Sequence, residues 1–192
     1  MTFRDLFATG DTRQDNFRSR LFGMFSEEIV RFWAKGDAPY RVIDGRPTIY
    51  DGTAYATIDF TLERRADGRL FIAEQKAELA WMKYAYLRLD NAAQVDHHRG
   101  RPPFDWFLKA AREPAKRLVK TAGRVTPIDG AILVWGAVSE QGRAAAMAEL
   151  GLADVLSLED MIADLRARQD PDWAAQVERL EASAAGLFKA LR

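Results

Sequence analysis

Two acids and a base stand where one strand pairing would gather them: Asp59 and, after fourteen intervening residues, the triplet Glu74-Gln75-Lys76. Side chains alternate along a strand, so Leu70, Ile72, Glu74 and Lys76 share one face. Leucine and isoleucine direct that face to a core, yet it continues with one charge of each sign. Burying charge costs on the order of several kcal/mol unless it is paired or bound to metal. The Ala66-Asp67-Gly68 turn lies midway between Asp59 and Glu74. A hairpin pairing residue 59 with either 74 or 76 therefore sets the aspartate beside both charges, and a bulge would shift it by one residue and separate them. Two neighbouring carboxylates repel, and a hard cation such as Mg²⁺ relieves this, taking oxygen ligands at about 2.0–2.1 Å. The lysine would orient a water or steady charge developing on a phosphoryl oxygen. The same residues also satisfy a plain cross-strand ion pair, with Lys76 neutralising Asp59 or Glu74 on a solvated face.

The elements that must position these groups are readable from periodicity. Residues 1–15 show none and read as a frayed tail. Phe17, Leu21, Met24, Phe25, Phe32 and Trp33 recur at helical spacing, predicting a helix over 16–35 that ends at Gly36. The Asp-Gly pairs at 44–45, 51–52 and 67–68 mark tight turns between strands at 46–50, 53–63 and 69–78, an antiparallel meander. Helical composition returns over 79–98 and, after Arg101-Pro102-Pro103, over 104–120, where Pro114 kinks or divides the helix. Residues 131–135 form an apolar run suited to a strand buried on both faces. A helix over 140–150 capped by Ser139, a strand at 155–158 and a helix over 159–167 follow, implying a parallel crossover. Asp170-Pro171 opens a last helix carrying one apolar stripe. The expectation is one α/β domain over 1–192, of the α+β kind with a mixed sheet: a meander plus parallel strands flanked by helices.

Composition narrows the chemistry. The 192 residues contain no cysteine, which excludes disulfides, thiolate metal sites and thiol nucleophiles. Two histidines, His97 and His98, are adjacent and diverge by about 100° on a helix, so they do not share a metal. No apolar run approaches the roughly 20 residues of a membrane span, and the N-terminus is no signal peptide, so the expected location is the cytoplasm and no membrane partner is expected. Net charge is zero, but residues 99–124 hold eight basic residues against two acidic ones, a local surface able to meet a polyanion. The phosphate-cradling loop, dinucleotide fingerprint and nucleophile elbow are all missing. The aromatic residues Trp33, Trp81, Tyr84, Tyr86, Trp106 and Phe107 mostly stand at core-like helical spacing, which favours packing over stacking on bases.

Asp59 and Glu74-Gln75-Lys76, set in an order of helix, meander, helix and strand, resemble the signature of the PD-(D/E)XK nuclease superfamily over roughly residues 17–160. Ile58 stands where that family's proline would be. The resemblance implies a restriction-endonuclease-like core in which Asp59 and Glu74 hold Mg²⁺ or Mn²⁺ and Lys76 assists the attacking water. It also implies an acidic residue from the first helix. Glu28 falls on the apolar stripe, four residues before Phe32, whereas Glu27 points about 100° away, so Glu28 is the expected ligand. Gln94, with His98 four residues on, partly matches a glutamine–tyrosine pair of exonuclease-like branches. Gln94, Arg99, Arg101 and Lys109 are then the expected substrate contacts. The implied activity is metal-dependent hydrolysis of phosphodiester bonds, in DNA ahead of RNA. The alternative is a nuclease-like scaffold that binds nucleic acid or a protein partner without cutting. A homodimer seam along the C-terminal helix, residues 171–192, is a further expectation.

Overall fold

A computed structural model describes residues 3–77, 84–121 and 123–191, the side chains of Met24 and Asp51 excepted. The chain is a mixed α/β protein whose central sheet runs in the order β1 (Tyr40–Gly45), β4 (Phe60–Arg64), β5 (Leu70–Lys76), β9 (Gly130–Trp135), β11 (Asp154–Ser157). Neighbours β1, β4 and β5 pair antiparallel, whereas β5, β9 and β11 pair parallel. Every residue of β9 is buried, as its unbroken apolar run requires when both sheet faces are covered.

Two layers of helix cover the sheet. On one face α1 (Thr12–Lys35) and α4 (Leu158–Ala167) bury Phe22, Ile29, Trp33, Met161 and Leu165 against Phe60, Phe71, Ile132 and Val134. On the other face α2 (Pro102–Arg112) and α3 (Glu140–Leu150) bury Phe104, Phe107 and Ala146 against Ile72, Leu133, Trp135 and Val155. Capping follows the sequence: Ser139 Oγ accepts the Gly142 N–H at 3.0 Å, and Asp170 Oδ1 accepts the Trp173 N–H at 2.9 Å at the start of α5 (Pro171–Ala190).

Several expectations are corrected. Helix α1 begins at Thr12, because Asp11 Oδ1 accepts the N–H groups of Arg13 at 2.8 Å and Gln14 at 3.2 Å. The segment before it is not frayed: Phe3 and Phe7 are buried against Phe22, edge to face, at 5.6 and 5.0 Å. The buried face of α1 runs through Phe22, Ser26, Ile29, Val30 and Trp33, while Phe17 and Leu21 are exposed. The helix expected over 104–120 stops at Arg112, and Leu118–Thr121 is a strand, β7. Within 79–98, residues 79–83, Trp81 among them, lie outside the described residues. The rest is a short strand, β6 (Arg88–Leu89), and a 3₁₀ helix (Ala92–His98).

The strand expected over 53–63 divides at Ile58-Asp59. Its first half, β3 (Ala54–Thr57), joins β2 (Thr48–Asp51), β7 and β8 (Arg124–Pro127) in a second, four-stranded antiparallel sheet of order β3-β2-β7-β8. Its second half is β4 of the central sheet. A short parallel pair, β6 with β10 (Ala137–Val138), completes the strands. No helix among the described residues is long and apolar enough to cross a membrane.

Candidate active site

The division at Ile58-Asp59 is what presents Asp59. Strands β4 and β5 pair Phe60 with Ala73 and Thr61 with Ile72, so one step outward the register sets Asp59 opposite Glu74. The backbone there is held from both sides. The Arg46 N–H donates to the Asp59 carbonyl at 2.8 Å, and the Ile58 N–H donates to the Pro47 carbonyl at 3.1 Å. Asp59 Oδ2 in turn accepts the N–H of Gln75 at 2.7 Å, tying the carboxylate to β5 at the triplet itself.

Along β5 the alternation holds. Gln75 faces α1, where its Nε2 donates to Ser26 Oγ at 2.6 Å. Ile72, Glu74 and Lys76 take the other face, the one covered by α2. Lys76 Nζ donates to Glu74 Oε1 at 2.6 Å and stands 6.0 Å from the Phe104 ring of α2. Glu74 is only 4% exposed, and its Oε2 is buried with no hydrogen-bond partner among the described residues. The Lys76 side chain keeps 23% of its surface open to solvent.

Two carboxylates and one ammonium leave the cluster one negative charge in excess. Burial pushes the Asp59 carboxyl up from its ordinary value; the Gln75 N–H and the Lys76 charge oppose this, and the Glu27 charge adds to it. Burial likewise pushes the Glu74 carboxyl up; Lys76 and the Asp59 backbone N–H oppose this, and the Asp59 charge adds to it. A divalent cation fits such a set: it relieves both carboxylates at once, and Oε2 is a buried acceptor without a hydrogen-bond partner among the described residues. No group of three or more His, Cys, Asp or Glu side chains able to hold a metal occurs among the described residues, so the remaining ligands of such an ion would be waters or substrate oxygens.

The other expected site residues fall variously. Glu28 Oε1 pairs with Arg31 Nε at 3.4 Å, and no hydrogen bond joins it to Asp59 or Glu74 among the described residues. The glutamate whose charge acts on Asp59 is Glu27, which also pairs with Arg31 at 3.2 Å and with Arg46 at 3.6 Å. The reason is the rotation of α1: once Phe22, Ser26, Ile29 and Val30 face inward, Glu27 lies on the side toward β4. Arg46 was not anticipated. It holds a left-handed backbone, φ 62°, uncommon for a non-glycine residue, at the joint where the chain leaves β1 for the second sheet. Gly45 beside it packs against the Arg31 guanidinium; a Cβ there would stand 2.6 Å from it, and the arginine would have to shift.

Gln94 is buried, and its side chain serves the backbone. Its Oε1 accepts the N–H groups of Asp90 and Asn91, and its Nε2 donates to the Arg88 carbonyl at 2.8 Å. These bonds hold the turn into the 3₁₀ helix and take the amide away from any surface contact. His98 is buried too, 5.1 Å from Phe104 and 6.0 Å from Trp135, while His97 Nδ1 lies 2.8 Å from the Gln94 carbonyl. Arg99, Arg101 and Lys109 are exposed; Arg99 pairs with Asp96, and Arg101 and Lys109 form no ion pair among the described residues. Arg117, counted in the basic stretch, is buried. Tyr55, which the helical-spacing argument passed over, is 69% exposed on β3 and 6.5 Å from Tyr50. Comparison of the chain with family models, with curated proteins and with solved structures finds no match.

Proposed function

We propose that the protein is a Mg²⁺- or Mn²⁺-dependent nuclease with a restriction-endonuclease-like core, hydrolysing phosphodiester bonds in DNA ahead of RNA. One observation carries the reading: the buried Oε2 of Glu74 beside Asp59, without a hydrogen-bond partner among the described residues, on a strand face otherwise given to apolar packing. Asp59 and Glu74 would hold the ion. When bound, it supplies Lewis acidity and lowers the pKa of a coordinated water. The chain's own residues do the rest. The Gln75 N–H fixes the Asp59 carboxylate, and Lys76, partly open to solvent, can turn its ammonium toward an incoming water or a phosphoryl oxygen. Arg101 and Lys109 would hold backbone phosphates, which positions a strand without reading its sequence. The run of three antiparallel strands followed by two parallel ones, with α1 ahead of it, supports the family resemblance.

A second reading has its own observation. The 2.6 Å contact between Lys76 and Glu74 occupies the lysine, as expected of a nuclease-like scaffold that binds nucleic acid or a protein without cutting. Incubation with linear, circular and single-stranded DNA, with and without Mn²⁺, separates the two. Metal-dependent cleavage that disappears in Asp59→Asn and in Glu74→Ala supports the enzyme. Cleavage that persists in Glu74→Ala is contamination and removes the claim. A thermal shift on adding Mn²⁺, about 2.7 kcal/mol at a hundredfold excess over Kd, reports metal binding even where no cleavage occurs.

A further inference from the structure

Helix α5 has no buried residue over its twenty positions, although it carries an apolar stripe. It lies antiparallel to α1 and touches it at two aromatic clamps: Phe32 with Trp173 at 5.8 Å, and Phe17 with Phe188 at 6.1 Å. Each pair of clamp positions is fifteen residues apart on its helix, about 22 Å at 1.5 Å per residue. Between the clamps the helices do not close. They leave a cavity of about 1220 Å³ walled by Leu21, Phe22, Phe25, Leu165, Val177 and Leu180. Packed helices leave few voids larger than a water, so this volume is a site for other side chains. The apolar surface continues outside it, where Leu187 is 59% and Leu191 73% exposed.

We infer that the α1–α5 groove is a self-association face, filled by the same groove of a second copy about a two-fold axis. Charge selects this occupant. The groove is rimmed by Arg18 and Arg166 on the α1–α4 side and by Glu178 and Glu181 on α5. None of the four forms an ion pair among the described residues; Arg18 donates only to the Leu6 carbonyl, at 3.2 Å. A two-fold interface brings each patch onto its own copy, so the acidic rim of one α5 meets the basic rim of the other groove twice over. An apolar centre with a charged rim is the usual anatomy of such a contact. A small apolar ligand would fill the cavity yet leave Leu187, Leu191 and all four charges uncovered.

The test uses the full chain in light scattering and sedimentation equilibrium across a concentration series. The expected result is twice the chain mass, a loss of dimer in Leu187→Asp, and unchanged melting of that variant in dilute solution. Two charge-reversed variants give the decisive arm: Glu178→Arg with Glu181→Arg, and Arg18→Glu with Arg166→Glu. Each alone should weaken association by about tenfold or more, and an equimolar mixture should restore it, since every rim then meets its opposite. A wild-type monomer at all concentrations overturns the inference. A dimer indifferent to Leu187→Asp, or reversed variants that the mixture does not rescue, overturns it equally. Cleavage of DNA has no part in these readouts, so the outcome is independent of the proposed activity.

Discussion

The outer end of β5 and the open flank of α5 depart from the ordinary partition of residues in opposite directions. On β5 a face that begins with Leu70 and Ile72 ends in Glu74, a carboxylate 4% exposed with one oxygen lacking a hydrogen-bond partner among the described residues. On α5 an apolar stripe that should be covered shows Leu187 at 59% exposure. The first places charge where packing would favour a hydrocarbon; the second places hydrocarbon where water would favour charge. Both are costly to an isolated folded chain, and both become favourable when something else arrives: a cation in one case, an apolar surface in the other. Their difference is in what they ask of the fold. The β5 cluster needs a rigid sheet and fixed register, whereas the α5 flank needs only a straight helix held at two points.

The contrast can be broken by substitution, beginning within one face of β5. Ile72→Ala should cost about 2–5 kcal/mol in denaturant unfolding, as for any fully buried branched side chain. A loss as large on Glu74→Gln would mean that the charged end is there for stability, not chemistry. Lys76→Met should lower kcat of metal-dependent cleavage by about 10²–10³-fold, roughly 2.7–4 kcal/mol of barrier, with folding retained. An unaffected kcat would leave the lysine as a mere partner of Glu74.

Acid sharpens the same point. Because burial raises the Glu74 pKa in the folded state, the native chain keeps a proton where the unfolded chain has released one. Stability therefore falls as pH rises from the ordinary glutamate value, about 4.3, through the raised folded value, and the penalty is complete above it. Gln carries no such charge. In metal-free buffer Glu74→Gln should melt higher than wild type at neutral pH, and the gap should close as pH falls into that window. A gap that widens on acidification would contradict the desolvated carboxylate. The smallest effect is expected on α5, where Leu187→Ser should change the unfolding free energy of dilute protein by about 0.5 kcal/mol or less. A large loss there would show that the stripe is already packed within one chain.

Much of this was legible in residue order. The Asp67-Gly68 turn and the spacing of Asp59 from Glu74 narrow the hairpin to residue 59 opposite 74 or 76, and the pairing of Phe60 with Ala73 selects the first, without a bulge. The apolar run at 131–135 and the caps at Ser139 and Asp170 are local signals, and the elements they start agree with the expectation. Val119 and Thr121, ahead of Gly123, are a strand signal that the helical reading of 104–120 overran; β7 pairs with β2, Val119 opposite Ile49. The rest depended on distant partners. Gln94 is expected as a substrate contact, but the backbone it serves, at Arg88, Asp90 and Asn91, folds back on it only through the turn before the 3₁₀ helix.

Glu27 and Glu28 show where the boundary falls. The order of residues by itself determined that two acids and a base lie on neighbouring strands and that a helix with a glutamate precedes them, since strand alternation and helical periodicity are properties of the local backbone. Which glutamate acts on Asp59 was decided by the rotation of α1 about its axis, and that angle is set by packing of Phe22, Ile29 and Trp33 against the central sheet. The openness of the α1–α5 groove was decided the same way. Periodicity marks a face as apolar, but only the arrangement of the whole chain determines whether its own side chains are there to cover it.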